Sequence, residues 1–179
     1  MDTRGHGEPS FEKLALPLFD SLFNFAQWLT HDRSEAEDLV QDTYLKAMRA
    51  FSSFEPGTNF RAWMFRILRN AFLNTRSGLR YTHSVSLDSD DESDAIEPVA
   101  TGTPESELIR HRNGEAIARA IEALPLLFRE VLILCDVEEM SYGEIAEALS
   151  IPINTVSSRL ARARKRLRET LLHDIVREK

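Results

Sequence analysis

The chain has 179 residues, 42% of them hydrophobic and 28% charged, and a formal net charge of -7. That length suffices for one domain or two small ones with modest cores, and no apolar run approaches the ~20 residues of a membrane span. The opening MDTRGHGEPS lacks the apolar stretch of a secretion signal, so the expected compartment is the cytoplasm. Cys135 is the only cysteine, which excludes an internal disulfide and any multi-cysteine metal site. Its apolar setting, VLILCDV, reads as a small core residue.

The charge is unevenly spread. Residues 1 to 81 hold 10 basic and 10 acidic side chains, residues 82 to 110 hold 1 and 8, and residues 111 to 179 hold 11 and 11. The whole deficit lies in the middle. An acidic strip thus joins two near-neutral blocks, and each block has its own acid-free basic segment.

After a polar tail at residues 1 to 10, Phe11 to Thr30 reads as helix with Leu14, Leu18, Leu22, Phe25 and Leu29 on one side. Pro17 marks a restart near its first turn. Ser34 and Glu37 make a capping box that opens a helix through Phe51, whose Ala36, Leu39, Val40, Thr43, Tyr44, Ala47 and Phe51 face a partner. Opposite them stand Asp38, Gln41, Asp42 and Lys46, which alone indicate only a solvated face.

Ser52 to Asn59 is a loop by its Ser, Pro and Gly content, with Asn59 as cap of the next helix. From Phe60 to Ser77, Arg61, Arg66, Arg69 and Arg76 alternate with Phe60, Trp63, Phe65 and Phe72, and no acid occurs between Pro56 and Arg80. Cations that hold a backbone beside aromatics that stack bases suit single-stranded nucleic acid. The plainer expectation is that Trp63, Ile67, Leu68 and Ala71 are core, leaving the loop and the arginine face for nucleic acid.

Residues 82 to 103 are rich in Ser, Asp and Thr and cannot offset their ordering entropy by burial, so they read as a flexible linker. It spans ~70 Å extended or about 25 Å as a relaxed coil. A second domain opens at Thr103 and Pro104 with a helix to Leu124. Leu126 to Cys135 forms a strongly apolar core helix.

Ser141 to Leu172 has the pattern of a helix-turn-helix, which lays its second helix in the DNA major groove. Ser141 and Glu144 form a capping box, and Ile145, Ala146 and Leu149 give the first helix its buried face. Pro152 stops continuation and Asn154 is placed to cap the second helix. There Val156, Leu160, Ala163, Leu167 and Leu171 form the inward stripe. The other face carries Arg159, Arg162, Arg164, Lys165, Arg166 and Arg168, with no acid from Asn154 to Arg168. Phosphates are the natural counter-charge. A left-handed turn at Ser150 costs a non-glycine residue roughly 1 to 2 kcal/mol, so either the turn takes another shape there or the strain is tolerated.

Four segments together, AEDLVQDTYLKAMRAF (36 to 51), FRAWMFRILRN (60 to 70), LPLLFREVLIL (124 to 134) and SYGEIAEALSIPINTVSSRLARARKRL (141 to 167), resemble the extracytoplasmic-function sigma factors of bacterial RNA polymerase in order and separation. The resemblance implies an all-α chain of two small helical domains, 11–81 and 104–179, the second a four-helix domain containing the helix-turn-helix, joined by the flexible acidic linker. Core RNA polymerase and promoter DNA are then partners, and an anti-sigma factor is a common third. By resemblance, Asp38, Gln41, Asp42, Leu45 and Lys46 dock on the polymerase. Gly57, Thr58, Asn59 and Phe60 form a pocket for a flipped base of the downstream (minus-ten) element, beside Arg61, Trp63, Arg66, Arg69, Asn70 and Asn74. Thr155, Ser157, Ser158, Arg159, Ala161, Arg162 and Arg166 meet the upstream (minus-thirty-five) element as duplex. The linker points toward the polymerase cleft and RNA exit path.

A catalytic role is not expected. His6, His31, His83, His111 and His173 are scattered, no glycine-rich phosphate loop occurs, and no nucleophile is paired with a base. No cofactor or metal is called for. Two rivals share the motifs: a stand-alone helix-turn-helix regulator, which leaves the arginine-rich helix unexplained, and a sigma mimic that sequesters an anti-sigma factor, which has no need of two basic segments.

Overall fold

The computed structural model describes residues 10–80 and 105–177, and among them every regular element is helical. The acidic linker, nearly all of the polar tail, and the expected second-domain start at Thr103 and Pro104 lie outside the described residues. Helix α1 (Phe11–Ala15) runs through a 3-10 turn at Leu16–Leu18 into α2 (Phe19–Thr30). Pro17 stands in that turn, where a missing N–H is tolerated, and the helix restarts as expected.

His31, left-handed at φ 59°, ends α2 and returns its N–H to Gln27 O at 2.9 Å. Asp32 then caps α3 (Arg33–Ala50), accepting from Glu35 N at 2.8 Å. The capping box expected at Ser34 and Glu37 is therefore corrected. Asp32 is an equally strong cap two residues earlier, and Glu37 pairs with Arg33 at 3.0 Å instead. Helix α4 (Phe60–Arg80) starts where expected, with Asn59 Oδ1 accepting from Ala62 N at 3.0 Å.

Helix α5 (Glu105–Glu122) stops two residues short of Leu124. Helix α6 (Leu126–Leu132) is also shorter than the sequence suggests, because the chain widens into a π-helical turn at Ile133–Val137. Cys135 lies in this turn and is half-buried, not a core residue. Helix α7 (Tyr142–Leu149) opens on the complete Ser141–Glu144 capping box and closes at Ser150 with φ 55° and ψ 45°, so of the two alternatives the strained left-handed turn is the one adopted. Asn154 is not the cap of α8 (Ile153–Arg177). The helix has already begun at Ile153, and Pro152 O accepts from Thr155 N and Val156 N at 2.9 and 3.2 Å.

The inward stripe of α8 holds at Val156, Leu160 and Ala163, which are buried, and relaxes to half-buried at Leu167 and Leu171. In α7 the buried set is Ile145, Ala148 and Leu149, with Ala146 only half-buried. Helices α2, α3 and α4 pack on one another, while α5, α6 and α7 each pack on α8. The two groups also meet: α4 lies along α7, and α2 touches α6 and the π turn. One contiguous buried cluster runs from Ala15 to Ala163 through both groups.

Candidate nucleic-acid interface

The loop before α4 is shaped by Gly57, whose φ of 92° favours glycine, and by Thr58, whose hydroxyl donates to Glu55 O at 2.8 Å. Gly57 and Thr58 are exposed. Phe60 is not. Only 9% of it is accessible, and its ring packs among Phe11, Phe51, Phe54 and Trp63 at centroid distances of 5.2 to 6.2 Å. Phe65 and Phe72 are likewise buried, so the aromatics of α4 that alternate with arginine mostly serve the core. Trp63 is half-buried against Phe54. Arg66, Asn70 and Asn74, spaced by four, form an open polar stripe along the same helix.

The remaining polar members of the downstream set are engaged by carboxylates from the second group of helices. Arg69 donates from Nε to Glu130 Oε2 at 2.7 Å and from Nη2 to Glu130 Oε1 at 3.0 Å, and its Nη1 reaches Leu149 O at 3.3 Å. Arg61 Nη2 donates to Glu138 O at 2.6 Å and lies 3.5 Å from Glu138 Oε2. Asn24 Nδ2 donates to Glu138 Oε1 at 2.7 Å. Asn59 Nδ2 donates to Glu144 Oε1 at 3.0 Å, and Glu144 Oε2 accepts from Ser141 N and Oγ at 2.8 Å each. The Ser141 backbone bond, with Asn59 next, holds the Glu144 carboxyl below its ordinary value.

On α8, Ser157, Ser158, Ala161 and Arg162 are exposed, and Thr155 is half-buried. Ser158 Oγ donates to Thr155 O at 3.1 Å. Arg159 differs from its neighbours: its Nη1 lies 3.6 Å from Glu130 Oε1. Arg166 stacks over Phe128 at 4.8 Å, and Arg164 Nη2 donates to Asp136 Oδ1 at 2.5 Å. Arg162 has no ion pair among the described residues.

Helix α3 turns Asp38, Gln41, Leu45 and Lys46 outward, with Asp42 half-buried and paired to Lys46 at 2.6 Å. Met48 and Leu45 are about half exposed, at 54% and 49%. Apolar side chains rimmed by charge are the usual composition of a protein-docking face. Met48 was not singled out from the sequence, although its register on α3 falls beside Leu45.

Glu130, Glu138 and Glu144 were not recognised from the sequence as neighbours of the basic helix, and neither was Arg129. Arg129 Nη1 donates to Trp28 O at 3.3 Å and also meets His31 Nε2. For Glu130 a signal exists: an acid inside the apolar run LLFREVLIL needs a buried partner. Among the described residues no group of three or more His, Cys, Asp or Glu is arranged to hold a metal ion. The Cys135 thiol is pushed above its ordinary value by burial and by Asp136, so it has little thiolate character.

Residues 18–80 match the family described as Sigma-70 region 2, and residues 114–167 match Sigma-70, region 4. With the all-helical fold, these matches define a two-domain sigma factor. The chain is 32% identical over 163 residues to the ECF RNA polymerase sigma factor SigE of Mycolicibacterium smegmatis, covering 91% of this chain and 62% of that protein. It is 35% identical over 159 residues to the ECF RNA polymerase sigma factor EcfG of Rhodopseudomonas palustris, covering 89% and 83%. The sigma factor RpoE of Bartonella quintana, solved in complex with the anti-sigma factor NepR, superposes with a TM-score of 0.69 at 35% identity over 90% of this chain and 96% of that one. The chain belongs to the ECF sigma factor family of RNA polymerase.

Proposed function

We propose that this sigma factor brings core RNA polymerase to its promoters through a two-point grip, with one domain at about 11–81 and the other at about 104–179. Helix α8 enters the major groove of the upstream element as duplex, through Thr155, Ser157, Ser158, Ala161 and the arginines 159, 162 and 166. The loop at Gly57, Thr58 and Asn59, with Trp63, Arg66, Asn70 and Asn74 along α4, takes the opened downstream element. Arg61 and Arg69 join it once released from their carboxylates. Extruding a base costs a few kcal/mol, which a capped, rigid helix start is suited to recover. Phe60 supports that loop from beneath.

The single observation that carries this reading is the presence on one chain of two exposed polar faces, each with an arginine: Arg66 with Asn70 and Asn74 on α4, and Arg162 with Ser157 and Ser158 on α8. A stand-alone regulator needs only the second. The face of α3 around Asp38, Gln41, Asp42, Leu45 and Lys46 is the polymerase contact in this reading. The chain works as a regulator of transcription and not as an enzyme, in the cytoplasm. Among the described residues no helix is long and apolar enough to cross a membrane. An anti-sigma factor is the natural controlling partner, since the superposable RpoE was solved with NepR.

Run-off transcription with purified core polymerase tests the proposal. The expected result is a promoter-specific transcript that requires the chain and weakens in both Arg66→Ala and Arg162→Ala. Specific DNA binding without any transcript would instead make it a stand-alone regulator.

A further inference from the structure

Met48 is the most exposed sulfur among the described residues. It is 54% exposed on α3, whereas Met64 and Met140 lie in the core at 0% and 2%. Cys135 is half-buried, and burial, with Asp136 beside it, pushes its thiol up and leaves little of the thiolate that peroxides attack. The thioether that an oxidant reaches from water is therefore the one on α3.

The surroundings of Met48 are those of a contact surface. Leu45, three residues earlier on the same face, is about half exposed. Tyr44, one turn before Met48, packs at 6.2 Å against Phe19 of α2, which is also about half exposed. An apolar strip thus crosses from α2 onto α3, edged by Gln41 and by the Asp42–Lys46 pair. Exposed apolar strips with a polar rim serve as docking surfaces for other proteins. Met48 belongs neither to the buried cluster nor to the residues packed against it, so a change in its polarity alters the strip and leaves the core of α3 intact.

We propose that Met48 is a site of reversible oxidation by hydrogen peroxide, and that its sulfoxide lowers the affinity of the free chain for core polymerase. The thioether sulfur attacks one peroxide oxygen, an S–O bond forms and the O–O bond breaks. The proton of the transferred hydroxyl passes to the departing hydroxide, giving water. Sulfur is oxidised by two electrons and the peroxide is reduced. The sulfoxide puts a polar oxygen where the strip was apolar, and sulfoxide reductases return the thioether. An oxygen pressed into an apolar contact without a donor opposes docking. The proposal rests on the reading of α3 as the polymerase contact.

The test treats the full-length chain with hydrogen peroxide, follows sulfoxide at each methionine by peptide mass spectrometry, and measures affinity for core polymerase by fluorescence anisotropy before and after. Met48 is expected to oxidise about tenfold faster than Met64 and Met140, with helical circular dichroism unchanged. Affinity should then fall about tenfold. The two methionine sulfoxide reductases together, one for each epimer, should restore it. Met48→Leu keeps an apolar side chain without sulfur, and whatever its starting affinity, peroxide should leave that affinity where it was. Met48→Gln, polar without any oxidant, should bind about tenfold more weakly than the wild type. A Met48→Leu chain that loses affinity to peroxide as the wild type does would overturn the proposal, because the change then lies elsewhere, Cys135 included. Leu45→Asp separates this proposal from the reading beneath it. If Leu45→Asp weakens core binding and the Met48 sulfoxide does not, α3 is the contact and Met48 is not its switch. If neither weakens it, the contact is not on this face of α3, and the proposal falls with that reading.

Discussion

Arg69 and Glu130 face each other through two parallel hydrogen bonds, Nε to Oε2 at 2.7 Å and Nη2 to Oε1 at 3.0 Å. Arg69 lies on α4 and Glu130 on α6, the apolar helix beneath the helix-turn-helix. The pair joins the two domains at their most buried charge.

Removing one partner of such a pair costs more than removing both, because the survivor stays buried and uncompensated. Arg69→Ala is expected to lower stability by about 3 kcal/mol, seen as a lower midpoint in urea followed by circular dichroism. The double replacement Arg69→Met with Glu130→Met, which leaves no charge behind, should return to within about 1 kcal/mol of the wild type. An unchanged midpoint for Arg69→Ala would show that the pair contributes nothing.

His31 gives the contact a dependence on pH. Burial first, then Arg129 and Arg76, push its pKa down to about 4 from an ordinary 6.5. Glu122 Oε1, 3.8 Å from Nδ1, pulls the other way, but it is 44% exposed and is outweighed. The packed state thus favours neutral histidine, so the contribution of His31 is complete above pH 6.5 and fades as pH falls toward about 4. Thermal melting at pH 7.5 and pH 5 should show a larger loss for the wild type than for His31→Gln. Equal losses would remove His31 as the source.

Ser150 holds a left-handed conformation at φ 55° and ψ 45° without being glycine. Ser150→Gly relieves a strain of roughly 1 kcal/mol and should raise the melting temperature by about 2 to 4 °C. A lower melting temperature would mean that the added freedom of the unfolded chain outweighs the relief.

Arg162 is exposed on α8 and free of ion pairs among the described residues. Arg162→Ala should weaken duplex binding and reduce the salt slope by about 0.9. Arg164→Ala, whose guanidinium is held by Asp136, should change that slope much less. An unchanged slope for Arg162→Ala would take it off the phosphate backbone.

What could be read from the chain before its fold was whatever is local. Periodicity placed the helices, and Ser141 with Glu144 fixed the start of α7 because both halves of that capping box lie within one turn. The box at Ser34 and Glu37 failed for an equally local reason: Asp32 competed and won. The alternation of arginine with phenylalanine in α4 suggested stacking platforms by composition, yet Phe65 and Phe72 lie on the buried side of the helix. Of the acidic contacts only the need for a partner was legible, at Glu130 inside its apolar run, and not which residue meets it. Glu130 lies 61 residues from Arg69, and Glu144 lies 85 from Asn59, so their pairing depends on how the two domains meet and not on any spacing.

The two-point grip requires one chain to read two promoter elements at once. Core polymerase carrying this chain, transcribing a library of genomic fragments, with the 5′ ends of the transcripts sequenced, measures that directly. Start sites are expected to share a downstream and an upstream element at a nearly fixed separation, and to vanish without the chain. Start sites with one shared element at variable distance, or no chain-dependent start sites, would contradict the two-point grip.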